Sequence, residues 1–289
     1  MLVPGPLVSA FIPSPSSGQL RLGPLVLNAY GLCIAVGVVA GAWLANRRWA
    51  AQGGSPDTVN RVATFAVPAG IVGARAYHVI TDWKSFQGRW GEVFYVWKGG
   101  LGIWGGVFLG AVVAWLVARR LHLDIGALFH AAAPAIPLAQ GIGRWGNWFN
   151  IELFGRPTTL PWALKVPERK RPDGYESFAT FHPTFLYEFL WNIAIAIVVV
   201  ALSAWLLTRF RKGAAFALYV ALYTLGRFFI ERIRIDEASL IGGLRVNEWV
   251  AAIVFLCAFM TLYRLRLVPS TATTPSQNRP STPPDPSPE

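Results

Sequence analysis

Phe185-Leu-Tyr-Glu-Phe-Leu-Trp-Asn-Ile-Ala-Ile-Ala-Ile-Val-Val-Val-Ala-Leu-Ser-Ala-Trp-Leu-Leu207 holds a single charged side chain, Glu188. At a helical rise of about 1.5 Å per residue, such a run crosses the ~30 Å hydrocarbon layer of a bilayer. A strand is excluded at this length, because an open sheet edge leaves backbone N–H and C=O groups unsatisfied in hydrocarbon. Six further apolar runs lie on either side: Leu27–Ala45, Val62–Ile80, Gly102–Ala118, Ile125–Ile142, Ala214–Ile230 and Asn247–Leu265. The third is short and rich in glycine. The reading is an all-α integral membrane protein, a bundle of about seven transmembrane helices over 27–267. A longer outer segment is expected between spans four and five.

Composition agrees. Of 289 residues, 54% are hydrophobic and 14% charged, and mean hydropathy is +0.42. A soluble domain carries roughly a quarter charged residues, so a soluble globular enzyme is excluded, and so is disorder across the body. The net charge of +11 comes from basic residues that punctuate apolar runs. Anionic membrane lipid is therefore the natural partner, and a nucleic acid is not. Cys33 and Cys257 both sit inside apolar runs and make neither a disulfide framework nor a metal cluster. Four dispersed histidines argue against zinc. No metal and no cofactor is expected.

Residues 1–26 read as an interfacial N-terminal arm. Prolines 4, 6, 13 and 15 break any long signal-peptide core, and no basic stretch precedes it. Residues 268–289 are rich in Pro, Ser and Thr and read as a disordered cytoplasmic tail. Arg47–Arg48, Arg119–Arg120, Arg209 with Arg211–Lys212, and Arg264 with Arg266 follow the odd-numbered spans. The positive-inside rule then places the N-terminus outside and the C-terminus in the cytoplasm. Raw counts of basic residues on the two sides are nearly equal. The outer ones are diluted by acidic neighbours and concentrated in one long segment, where the rule is weak.

Polar groups at membrane depth carry the functional signal. An Arg or Asp at a helix centre costs about 2.5–3.5 kcal/mol on the insertion scale, so its presence points to a task. All those found here lie toward the outer side. Arg75 and His78 share a face near the end of span two, where snorkelling to the interface is the plain alternative. Gly99-Gly100-Leu101-Gly102-Ile103-Trp104-Gly105-Gly106 opens span three, and its glycines allow close backbone approach or tight helix packing. Span four closes with Gly143-Arg144-Trp145-Gly146-Asn147-Trp148-Phe149-Asn150-Ile151-Glu152-Leu153-Phe154-Gly155-Arg156. An aromatic belt accounts for the Trp and Phe residues, but not for Arg144, Asn147 or Glu152. A guanidinium forks onto phosphate oxygens, and an amide donates beside it. His182-Pro183 leads into span five, where Glu188 calls for a buried partner, most simply an Arg in a structural ion pair. In span six, Tyr223, Arg227 and Glu231 recur every four residues and stack on one face. Arg before Glu is the weaker helical order, so a buried ionic site is the better account of that pair.

At these residues the sequence resembles the prolipoprotein diacylglyceryl transferase family of the bacterial inner membrane. The likeness runs from Asn28-Ala29-Tyr30-Gly31 through the seventh span. The block from Arg144 to Gly155 resembles the family signature, and Tyr223-x-x-x-Arg227-x-x-x-Glu231 its last motif. The resemblance implies transfer of a diacylglyceryl group from phosphatidylglycerol to the lipobox cysteine thiol of a prolipoprotein signal peptide, with release of glycerol phosphate. One position departs: many members have a histidine where this chain has Trp104, and an indole accepts no proton.

The attacking thiolate belongs to the substrate, and a nearby Arg lowers the thiol pKa from about 8.5. The implied catalytic residues are Arg144, Glu152, Arg227 and Glu231. Arg144 and Arg227 clamp the phosphate; Glu152 and Glu231 orient them, and one of the two carboxylates takes the thiol proton. Tyr30, Arg75, Asn147, Asn150, Gly155, His182, Tyr223 and Trp104 are the implied substrate-binding residues. A multi-helix transporter, or a lipid-binding membrane protein without chemistry, is the alternative class. A transporter is expected to line a path to both sides with charge, and here the charges gather toward one.

Overall fold

The computed structural model describes residues 11–22, 25–96 and 99–266. Each apolar run becomes helix. α1 is Ala29–Ala51, α2 Thr58–Thr81, α3 Ile103–Arg120, α4 Ile125–Ala132, α5 Ala135–Asn150, α6 Thr184–Arg209, α7 Ala214–Ile233 and α8 Val246–Arg264. The fourth run is two helices because Pro134 and Pro137 each remove a backbone donor at the junction. Counting α4 and α5 as one, six helices are long and apolar enough to cross a membrane. α2 is not among the six: it has 24 residues, but Asn60, Arg61, Arg75 and His78 interrupt its apolar character. The chain is an all-α integral membrane protein, and the expected count of seven spans rests on α2.

Helix starts follow local chemistry. The Asn28 side chain accepts from the Tyr30 N–H at 2.9 Å and caps α1. Asp124 does the same for α4, accepting from Ala127 at 3.0 Å. Neighbouring helices pack as α1 on α5, α5 on α6, α6 on α7, α7 on α8, and α2 on α3. The last pair is backbone on backbone: a Cβ on Gly73 would lie 2.3 Å from the Gly105 carbonyl oxygen, and one on Gly105 would lie 2.2 Å from that of Gly73. Close approach of this kind is what small residues allow where lipid offers no hydrophobic drive between helices.

Short strands join the loops at one end. β1 (Ile12–Pro13) runs parallel to β4 (Leu164–Lys165), which pairs antiparallel with β5 (Thr180–Phe181). β2 (Gln19–Leu22) and β3 (Leu25–Asn28) form a hairpin leading into α1. β6 (Leu240–Ile241) and β7 (Leu244–Arg245) form another around Gly242 and Gly243, whose φ values of 58° and 79° suit a two-residue turn. The sequence reading contained neither hairpin. The segment over 151–183 has its own core with the start of α6: Ile151, Phe154, Leu164, Val166, Phe181 and Phe185 are buried together. It sits at the end of the bundle where α5 finishes and α6 begins. The tail expected over 268–289, and residues 1–10 of the arm, lie outside the described residues.

Candidate functional site

Antiparallel order brings five helix ends together: the start of α1, the last turns of α5, the first turns of α6, the end of α7 and the start of α8. Arg144 on α5 and Arg227 on α7 meet at Glu188 on α6. The Arg144 Nε is paired with Glu188 Oε2. Arg227 Nη1 lies 2.9 Å from Glu188 Oε1, and its Nη2 lies 2.6 Å from Glu231 Oε2. One carboxylate thus holds two guanidinium groups, and a second steadies one of them from behind. Exposure is uneven. The Glu188 and Glu231 side chains are 7% and 0% exposed, while Arg144 and Arg227 retain 23% and 19%. The carboxylates form the floor and the arginines the open face.

The network extends both ways. Asn147 Nδ2 donates to Glu152 Oε1 at 2.8 Å, and Arg144 Nη1 reaches Asn147 Oδ1 at 3.5 Å. Tyr30 lies beside Asn147, and Tyr223 beside Arg144. Gly146 makes room for Tyr30, since a Cβ there would lie 2.6 Å from the Tyr30 ring. Behind Arg227, Glu231 Oε1 faces Arg245 Nε at 3.1 Å and accepts from Asn247 at 3.0 Å. Arg245 and Arg234 both hold Asp236, at 3.0 and 2.7 Å. Glu152 is set between two residues in the left-handed region, Ile151 (φ 53°) and Leu153 (φ 58°). Such backbone costs on the order of 1 kcal/mol or more per residue, and here the Thr184 hydroxyl holds it by donating to the Leu153 carbonyl.

Tyr30, Arg144, Asn147, Glu152, Tyr223, Arg227 and Glu231 therefore lie in one connected site. The other named residues stand outside this side-chain network, with Gly155 at its edge in a β-bridge with Arg234. Arg75 is buried and donates to four backbone carbonyls, those of Val93, Glu92, Gly99 and Gly100, at 2.5–3.0 Å. It also stacks on Phe86. These are the bonds of a loop clamp, not of snorkelling to the interface. Trp104 is 58% exposed on the first turn of α3, with no ring contact or hydrogen bond to the arginine centre. Asn150 ends α5 beside Gly18. Gly155 and His182 sit one layer out: the Gly155 N–H donates to the His182 carbonyl at 2.9 Å, and a Gly155 Cβ would lie 2.9 Å from that of His182. Sequence reasoning gave Glu188 one partner instead of two. It left out Arg234, Arg245 and Asn247, whose only sequence signal is polarity at the mouth of the last apolar run.

His182 Nδ1 lies 3.0 Å from the Tyr187 hydroxyl, which accepts from Trp162. Burial, and to a smaller extent the charge of Arg156, pushes the imidazole below its ordinary range. The folded pKa is depressed, so the contribution of this group is present above the ordinary imidazole pKa and is lost as pH falls through the folded value. On going from about pH 7 to about pH 5, the wild-type melting temperature should fall further than that of His182→Asn. Parallel curves for the two proteins would refute this.

Fold and site together define a polytopic all-α membrane protein with an arginine–glutamate centre at one end of its bundle. Comparison with known proteins makes this specific: the profile of the prolipoprotein diacylglyceryl transferases matches residues 18–264, and the chain belongs to that family of transferases. It is 51% identical over 258 residues to phosphatidylglycerol–prolipoprotein diacylglyceryl transferase 2 of Streptomyces coelicolor, covering 88% of this chain and 80% of that protein. The phosphatidylglycerol–prolipoprotein diacylglyceryl transferase of Corynebacterium glutamicum (strain ATCC 13032) is 48% identical over 272 residues, covering 89% of this chain and 85% of its own.

Proposed function

We propose that the chain transfers the diacylglyceryl group of phosphatidylglycerol to the thiol of a prolipoprotein lipobox cysteine. The observation that carries this reading is the cationic face made by Arg144 and Arg227 over buried carboxylates. Planar guanidinium groups held in fixed orientation suit the oxygens of a phosphodiester. Tyr30, Asn147 and Tyr223 line the same face and supply neutral donors for the headgroup.

The substrate sulfur attacks the diacylglyceryl carbon next to the phosphate. A carbon–sulfur bond forms, the carbon–oxygen bond breaks, and its electron pair leaves with glycerol phosphate. Arg144 and Arg227 stabilise the developing charge without losing a proton. Glu152 is the better acceptor for the thiol proton: it is half-buried, and one of its oxygens accepts from Asn147. Glu231 is fully buried against Arg227, Arg245 and Asn247, which makes it a positioning residue. Arg75 acts at a distance, by holding the backbone of Glu92, Val93, Gly99 and Gly100 ahead of α3. A second reading, transport, finds less support, since the ion pairs of this centre gather at one end of the bundle.

The positive-inside pattern supports an outer active site, an outer N-terminus and a cytoplasmic C-terminus, with α2 as the seventh span. Cysteines placed at Ser16 and Ser281 should then label from opposite sides of the membrane; labelling of both from one side rejects this topology.

Trp104 forms a wall of the lipid or headgroup cavity and is not a catalytic group. Phe keeps most of its apolar area, so Trp104→Phe should retain most activity. Loss of one indole hydrogen bond costs about 0.5–1.5 kcal/mol, roughly tenfold at most. A dead Trp104→Phe enzyme would overturn this role. The function itself is tested with purified protein, phosphatidylglycerol and a lipobox peptide in mixed micelles. The peptide gains the diacylglyceryl mass, and its Cys→Ser counterpart does not. An unchanged cysteine peptide would reject the proposal.

A further inference from the structure

The end of the bundle opposite the arginine centre holds a second basic site. Along α6, Glu188 and Arg209 are 21 residues apart, which is about 32 Å of helix and the thickness of a bilayer core. There, between the last turns of α6 and α8, lies a groove of about 600 Å³. Its walls are the rings of Trp205, Phe210, Phe259 and Tyr263, and its rim carries Arg209 and Arg266. The ends of α6 and α8 are tied across it. Phe210 and Arg266 form a β-bridge, and the Arg211 N–H donates to the Leu265 carbonyl at 2.8 Å. The arginines are thereby fixed on a common rim. The Trp205 and Phe210 rings meet at 5.7 Å, Trp205, Phe259 and Tyr263 are 51%, 55% and 67% exposed, and both helices are of membrane-crossing character.

Charge separates this groove from an ordinary lipid-facing surface. Among the described residues, neither Arg209 nor Arg266 has a carboxylate within ion-pairing distance. Asp124, at the same end, is already taken by Lys212 Nζ at 2.7 Å. Arg211 and Arg264 add to the positive field. Aromatic rings beside two guanidinium groups that have no counter-ion among the described residues, at the depth of a headgroup layer, match the amphiphilic profile of an anionic phospholipid.

We propose that this groove binds an anionic phospholipid of the leaflet opposite the active site, with its phosphodiester on Arg209 and Arg266 and its acyl chains along Trp205 and Phe259. The site is independent of the transfer reaction, and neither arginine belongs to the catalytic centre. The segment after Arg266 is the competing occupant. Its apolar residues are few, whereas the groove wall is mostly aromatic and faces outward from the bundle, which favours lipid.

The test uses the full chain in phosphatidylcholine vesicles containing a small share of a photoactivatable phosphatidylglycerol, with labelled residues mapped by mass spectrometry. Label should gather on 205–210 and 259–266. It should be about thirtyfold lower with a matched phosphatidylcholine probe, the scale expected when two arginines meet an anionic headgroup. Arg209→Gln/Arg266→Gln should bring phosphatidylglycerol labelling down to the phosphatidylcholine level while labelling elsewhere stays unchanged. Equal labelling of the wild-type chain by the two probes overturns the proposal, whatever the variant does. So does label that enters the groove only after residues 267–289 are removed, because the tail would then be its occupant.

Discussion

Glu188→Gln lowers diacylglyceryl transfer by about a hundredfold or more, the largest effect of any single uncharged replacement in the site. The carboxylate is buried and bonded to two arginines from two other helices. Gln matches its shape but removes the charge, so two guanidinium groups are left facing each other where water is scarce. Breaking a buried ion pair from one side costs about 3–5 kcal/mol. Part of that is stability, and part is the loss of fixed orientation at the phosphate. Glu188 acts through the arginines, so the effect should fall on kcat more than on KM for phosphatidylglycerol. An Arg144→Gln/Glu188→Gln double variant should lose much less than the product of the two single losses, because both changes remove the same pairing. Independent losses, with KM alone affected, would mean that Glu188 only holds helices together.

Arg144→Lys has an effect of the same scale, a loss of about 10²–10³ in kcat, as found when one preorganised transition-state donor is removed. Lysine keeps the charge but has neither the planar fork nor the reach to hold Glu188, Asn147 and a phosphate oxygen at once. Folding should suffer little, since Arg144 keeps 23% exposure and an ammonium still pairs with Glu188. The check is a kinetic comparison at matched expression and melting temperature. Near-normal turnover in Arg144→Lys would show that bulk positive charge is sufficient.

Much of this was legible in the chain itself. Apolar length gave the helices, because hydrocarbon admits little else. The four-residue spacing of Tyr223, Arg227 and Glu231 gave one face, and the Arg227–Glu231 contact at 2.6 Å follows from that spacing. Local periodicity does not encode which helix meets which. The sequence marks Glu188 as needing an Arg, but not that α5 and α7 would both deliver one. Arg75 carries the same signal as Arg144, a guanidinium near a membrane boundary. Only the folded backbone at Glu92, Val93, Gly99 and Gly100, whose carbonyls turn toward Arg75, separates the two. The β6–β7 hairpin was hidden for another reason: two-residue strands are too short to show alternation, and Gly242–Gly243 reads as a turn only once its flanks are seen to pair.

The most direct measurement places ¹⁸O in the phosphatidylglycerol oxygen that joins the diacylglyceryl carbon to phosphorus, and follows it through turnover with a lipobox peptide. If the arginine-held phosphate is the leaving group, the heavy oxygen appears in released glycerol phosphate, one for each thioether formed, and both products vanish together in Glu188→Gln. Heavy oxygen retained on free diacylglycerol, with no thioether on the peptide, would mean that the phosphorus–oxygen bond is cut instead. That result would contradict the account.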